Sequence, residues 1–137
     1  MKIAIVDDNL ADAQLLNYFL GERDDSIESL IFDGGQVFLD HLDSCDDSEL
    51  PDLVVLDLEM PGVDGIEVLK KMRSEERNAT IPVVVYSGNM DESKMKVTYR
   101  YCANSYVVKS MEGARQIAEY WTGTNHVIRR GYEDPID

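Results

Sequence analysis

Cysteine is nearly absent from this chain: Cys45 and Cys102 are the only two in 137 residues. They form no C-x-x-C motif, so we expect reduced thiols rather than a disulfide framework. Histidine is as scarce. His41 and His126 lie far apart without metal-type spacing, and both read as surface residues. No apolar run approaches the roughly 20 residues that span a bilayer. The start, MKIAIVDD, lacks the apolar core of a signal peptide. These absences predict a soluble, cytoplasmic protein with no membrane partner. Positive charge is short too: 13 basic against 27 acidic residues give a net charge of −14. Such a charge repels nucleic acid and anionic lipid, which argues against both as partners. It suits a protein that holds a cation, although most of these acids are solvated surface. Internal repeats and low-complexity segments are also missing, and the length fits one domain.

What is present is organised around Leu53-Val54-Val55-Leu56-Asp57-Leu58-Glu59-Met60-Pro61-Gly62. Four apolar residues without alternation suit a strand covered on both faces, as in a parallel sheet. Asp57 then sits at the strand's carboxyl end, the edge where open α/β sheets bind ligands. Taken alone, an acid there is better explained by the turn that follows.

The rest of the chain repeats one unit. Residues 3–6 read as a strand ending in Asp7-Asp8-Asn9, and Leu10, Ala13, Leu16 and Leu20 mark a helix that Asp8 or Asn9 caps. Residues 27–32 form a more polar strand at an edge, and Asp33-Gly34-Gly35 a turn. A second helix carries Val37, Phe38 and Leu42, and residues 43–51 read as a loop. Past the central strand, a third helix after Asp64-Gly65 buries Ile66, Leu69 and Met72. A fourth strand, 83–86, ends in Ser87-Gly88-Asn89. A fourth helix, capped by Asp91, aligns Met95, Tyr99 and Cys102. The fifth strand, 105–108, ends at Lys109, and the fifth helix carries Ala114, Ile117, Ala118 and Trp121. From Gly123 the periodicity stops. Five β-α units predict a parallel sheet with right-handed crossovers. We expect a domain over residues 1–122 and a tail over 123–137.

In a parallel sheet the polar strand ends share one edge: Asp7 and Asp8, Asp57, Ser87 and Lys109. If the first and third strands are neighbours, three carboxylates meet and must be compensated. Lys109 supplies one positive charge, and hard oxygen ligands suit Mg²⁺ for the rest. Carboxylate, hydroxyl, ammonium and metal are the parts that phosphoryl transfer needs. Asp57 is the candidate nucleophile, and Ser87 and Lys109 are the candidate holders of phosphoryl oxygens. Each residue alone has an ordinary structural explanation; all four strand ends together are hard to explain by chance.

Val6-Asp7-Asp8-Asn9, the run LDLEMPGVDGIEVLKKMR from Leu56, Val85-Tyr86-Ser87-Gly88 and Tyr106-Val107-Val108-Lys109 resemble the receiver domain of two-component response regulators. The resemblance covers residues 2 to 121. It implies a flavodoxin-like (βα)5 fold with strands in order 2-1-3-4-5. It implies Asp57 as phosphoacceptor, and Asp7, Asp8, Asp57 and the Glu59 carbonyl as the Mg²⁺ shell. It implies Ser87 and Lys109 at the phosphoryl group, with Ser87 and Tyr106 as the switch. The implied partner is a sensor histidine kinase or a histidine phosphotransfer protein. One departure stands out: Ser110 follows the lysine where most receivers carry a cis proline, and a cis bond is costly without proline. The Lys-Ser pair, Ala103-Asn104-Ser105-Tyr106 and Glu119-Tyr120-Trp121 resemble the stand-alone receivers that serve phytochrome-type histidine kinases.

On this reading a phosphoryl group adds about two negative charges at the sheet edge. Ser87 moves toward it, Tyr106 rotates inward, and the face of the fourth helix, fifth strand and fifth helix changes. Trp121 either joins a homodimer contact there or closes the core under the last helix. Two alternatives compete. A haloacid-dehalogenase-type phosphatase needs D-x-D, which Asp57-Leu58-Glu59 does not match, so an enzyme is not expected. A pseudo-receiver, acting only as a protein-binding module, would not need intact Asp7, Asp8, Asp57 and Lys109.

Overall fold

The computed structural model describes residues 1–122, so the expected 123–137 tail lies outside the described residues. Its elements alternate: β1 (Lys2–Val6), α1 (Leu10–Arg23), β2 (Glu28–Phe32), α2 (Gly35–Ser44), β3 (Leu53–Leu56), α3 (Gly65–Ser74), β4 (Val83–Ser87), α4 (Glu92–Arg100), β5 (Ser105–Val108) and α5 (Met111–Thr122). All strand pairs are parallel, in the order β2-β1-β3-β4-β5. Fold class and strand order are as the sequence predicted.

Strand alternation divides the core into two layers. Ala4, Val6, Val54, Leu56, Val83 and Val85 face α2 and α3, meeting Phe38, Leu42, Val68, Leu69 and Met72. Ile3, Ile5, Leu53, Val55, Val84 and Tyr86 face the other way, onto Leu16 and Leu20 of α1 and Ile117 and Trp121 of α5. Each fully buried aliphatic side chain contributes about 1.5–3 kcal/mol, which explains why the central strands are apolar between Lys2 at the start of β1 and Ser87 at the end of β4.

Several local expectations need correction. Leu10 opens α1 beyond the end of β1 and is 58% exposed rather than core. In α3 the buried residues are Gly65, Val68, Leu69 and Met72, with Ile66 only half-buried. In α4 the Met95-Tyr99-Cys102 stripe fails. Tyr99 is exposed, and Cys102 lies past the helix end at φ 64, a left-handed turn into β5. Thr98 is the buried residue of α4, its hydroxyl donating to the Met95 carbonyl at 2.8 Å. The loop after α2 contains a 3-10 turn over Asp47–Glu49. His41 is half-buried against Phe32, with ring centroids 4.9 Å apart. Trp121 is 8% exposed and belongs to the core beneath α5. No peptide bond among the described residues is cis, including the one after Lys109.

Candidate functional site

The sheet ladder continues one residue past three strands, and this positions the site. The Asp57 N–H donates to the Val6 carbonyl at 2.9 Å, and the Asp7 N–H to the Phe32 carbonyl at 2.9 Å. The Lys109 N–H donates to the Ser87 carbonyl at 2.7 Å. Because Val6 pairs with Leu56, Asp7 and Asp57 stand side by side. Asp7, Asp57 and Lys109 follow Ile5, Val55 and Val107 by two residues each, so they lean toward the α1/α5 layer. Ser87 keeps step with Val85 on the opposite face, where Tyr106 also packs.

Local chemistry fixes the loops. The Asn9 side chain caps α1 by accepting the Asp12 N–H at 3.1 Å, which settles the choice between Asp8 and Asn9. Asp64 and Glu67 form a capping box at α3. Gly62, at φ 77, makes the left-handed turn between β3 and α3. Gly65 lies so close to the Asp57 carbonyl and Leu58 Cα that any Cβ there would overlap them.

At the edge, Lys109 Nζ lies 2.9 Å from Asp7 Oδ2, 2.9 Å from Asp12 Oδ2 and 3.4 Å from Asp57 Oδ2. Asp7 Oδ1 accepts the Asn9 N–H at 2.9 Å, and Asp57 Oδ1 accepts the Glu59 N–H at 3.4 Å. Asp7 and Asp57 are buried, while Asp8 is exposed. One carboxylate oxygen from each of Asp7, Asp8 and Asp57 falls within 4.8 Å of the others. These hard oxygen donors, facing a single ammonium, fit a divalent cation such as Mg²⁺ or Mn²⁺.

Burial is the largest influence on Asp57 and, with the nearby Asp7 charge, raises its pKa to about 6 against the pull of Lys109 and the Glu59 N–H. For Lys109 burial works downward. Hydrogen bonds to Asp7 and Asp12 and the Asp57 and Asp7 charges outweigh it, so its pKa rises and it remains a cation.

The other expected residues surround this cluster. The Glu59 carboxylate turns away to pair with Lys94 of α4 at 3.0 Å, leaving its main chain at the site. Ser87 is buried at the end of β4. Tyr106 is half-buried, its hydroxyl donating to the Asn89 carbonyl at 2.8 Å. Two residues escaped sequence reasoning. Lys94 carried no local signal. Nor did Asp12, since one acid in the first turn of a helix is ordinary.

A doubly wound parallel sheet with an acid cluster and a lysine on its carboxyl edge defines a flavodoxin-like domain that handles charge at its switch point. The response regulator receiver domain matches residues 3–120, and the chain belongs to that family. It is similar to the probable methanogenesis regulatory protein FilR2 of Methanothrix harundinacea, 33% identical over 138 residues, covering 90% of this chain and 84% of that protein. It is similar to response regulator Rcp1 of Synechocystis, 32% identical over 111 residues, covering 79% and 76%. The Mn²⁺-bound structure of Rcp1 aligns with TM-score 0.85 and 27% identity over 93% of this chain and 98% of that one. The phosphorylated cyanobacterial phytochrome response regulator RcpA aligns with TM-score 0.84 and 29% identity over 93% and 96%. Against several other curated relatives the chain spans about a third to a half of their length.

Proposed function

We propose that this chain is a single-domain response regulator of a phosphorelay, with residues 1–122 as the receiver and 123–137 as an appended tail. A histidine kinase or histidine phosphotransfer protein supplies the phosphoryl group, and Asp57 accepts it. The carrying observation is the placement of Asp57: buried at a strand end, raised in pKa, between Asp7 and Lys109. An Asp57 oxygen attacks phosphorus, a P–O bond forms, and the P–N bond to the donor histidine breaks. Mg²⁺, held by Asp7, Asp8, Asp57 and the Glu59 carbonyl, would neutralise charge on the transferring phosphoryl oxygens. Lys109 and Ser87 each donate a hydrogen bond to a phosphoryl oxygen. The domain itself is a signalling module and not an enzyme.

The switch runs through Ser87 and Tyr106. As Ser87 moves toward the phosphoryl group, Tyr106 gives up its bond to the Asn89 carbonyl and turns inward. The face of α4, β5 and α5 is then remade, and exposed Tyr99 and Tyr120 make it suited to a homodimer or a downstream partner. Likeness to the phytochrome response regulator RcpA supports a phytochrome-type kinase as the source. The charge of −14 supports a reading without nucleic acid. No helix among the described residues is long and apolar enough to cross a membrane, which is compatible with a cytoplasmic site of action.

The test is intact mass after incubation with Mg²⁺ and acetyl phosphate. One phosphoryl group should appear in the parent, and none in Asp57→Asn or in chelator. No gain, even with a cognate kinase, would leave only a binding module.

A further inference from the structure

We propose that Asp12 is a positioning residue for Lys109: the anchor that keeps its ammonium at the phosphoryl site while a metal engages Asp7 and Asp57. This inference rests on the phosphoacceptor reading and extends it to a residue which that reading does not use.

An ammonium has three donors, and Lys109 spends them on Asp7, Asp12 and Asp57. Asp7 and Asp57 belong to the carboxylate group that fits a cation, and Asp12 does not. A divalent ion there competes for the same oxygens and repels the ammonium. Of the three partners, only Asp12 stays wholly available. Releasing the other two donors is what contact with phosphoryl oxygens requires.

The anchor is itself well held. Asp12 stands on the first turn of α1, where Asn9 fixes its backbone, and Leu16 and Leu20 pack that helix into the core. Its side chain is 36% exposed and that of Lys109 14%, so the pair sits at the mouth of the site rather than in bulk solvent. The need for such an anchor is evident in the chain. Lysine ends a flexible four-carbon stem, and Ser110 follows it where a proline would have restricted the backbone. A helix-dipole role explains an acid in this turn. It does not explain a 2.9 Å contact to a residue 97 positions away.

The test follows the Lys109 ammonium directly. The full chain is ¹⁵N-labelled on lysine, the Lys109 Nζ signal is assigned with Lys109→Met, and spectra are taken with Mg²⁺ alone at saturation. The expected result is a solvent-protected ammonium signal in the parent that is lost in Asp12→Asn and in Asp12→Ala, at unchanged backbone spectra. Phosphorylation by acetyl phosphate at saturating Mg²⁺ should slow on the order of tenfold in Asp12→Asn, as for one lost charge-assisted hydrogen bond. In the Lys109→Met background Asp12→Asn should slow it no further. A signal that persists in both Asp12 variants, or one already absent from the Mg²⁺-loaded parent, overturns the proposal. So does an equal rate loss in the Lys109→Met background. If the parent takes up no phosphoryl group at all, the phosphoacceptor reading fails, and the ammonium signal still decides the part of Asp12.

Discussion

Burial makes Asp57 a reluctant anion. Its native pKa of about 6 lies above the ordinary 3.8, so between these values the folded state binds a proton that the unfolded chain releases. The sign follows from linkage. The contribution of Asp57 to stability is fully present below about pH 4 and is lost as pH rises through about 6. In metal-free protein at pH 7.5, Asp57→Asn should therefore melt higher than the parent, and the gap should close on titration to pH 4. Melting curves of both proteins in chelator across that range check this; a constant gap would contradict it. At this scale the site was largely legible, because Asp7, Asp8, Asp57, Ser87 and Lys109 each interrupt an apolar run. Asp12 was not. It sits inside an amphipathic helix, where one acid in the first turn is ordinary, and only its contact with Lys109 gives it meaning.

Arg73 joins the elements that move in the proposed switch to those that do not. Its Nε donates to the Tyr101 carbonyl at 2.9 Å and Nη2 to the Cys102 carbonyl at 3.0 Å, closing the end of α4. Its Nη1 donates to the Ala79 and Ile81 carbonyls at 3.0 and 2.9 Å, just before β4. Arg73→Ala would remove the partner of four carbonyls, three of them in part-buried bonds and that of Cys102 exposed to water, and should cost about 2–4 kcal/mol, measured by urea unfolding. Arg73→Lys should recover little, since one ammonium cannot serve the four carbonyls that the guanidinium fork reaches. The same region is where the sequence misled. Periodicity extended α4 to Cys102, but a local cap ends it at Arg100: Cys102 turns left-handed, and the N–H groups of Cys102 and Ala103 donate back to the Tyr99 and Thr98 carbonyls at 2.9 Å. Helix spacing records which residues could share a face, and it does not record where a non-glycine residue turns left-handed to end the helix. The strands were easier to place, because uninterrupted runs such as residues 53–56 and 83–85 allow no surface alternative.

A net charge of −14 acts on the molecule as a whole, and two effects of added cations must be separated. Self-repulsion among dispersed carboxylates is screened by any salt, with a Debye length of about 30 Å at 0.01 M falling to about 10 Å at 0.1 M. The cluster of Asp7, Asp8 and Asp57 would instead bind a divalent ion by mass action, worth about 2.7 kcal/mol at a hundredfold excess over Kd. Sodium chloride alone should thus raise Tm modestly and by the same amount in every variant. Mg²⁺ added at matched ionic strength should raise it further in the parent. Asp8→Ala is the informative comparison, because Asp8 is exposed and its removal leaves no buried partner unpaired. That variant should keep the response to sodium chloride and lose most of the additional response to Mg²⁺. Equal Mg²⁺ responses in the two proteins would mean that the ion stabilises by screening the surface rather than by entering the cluster at the sheet edge.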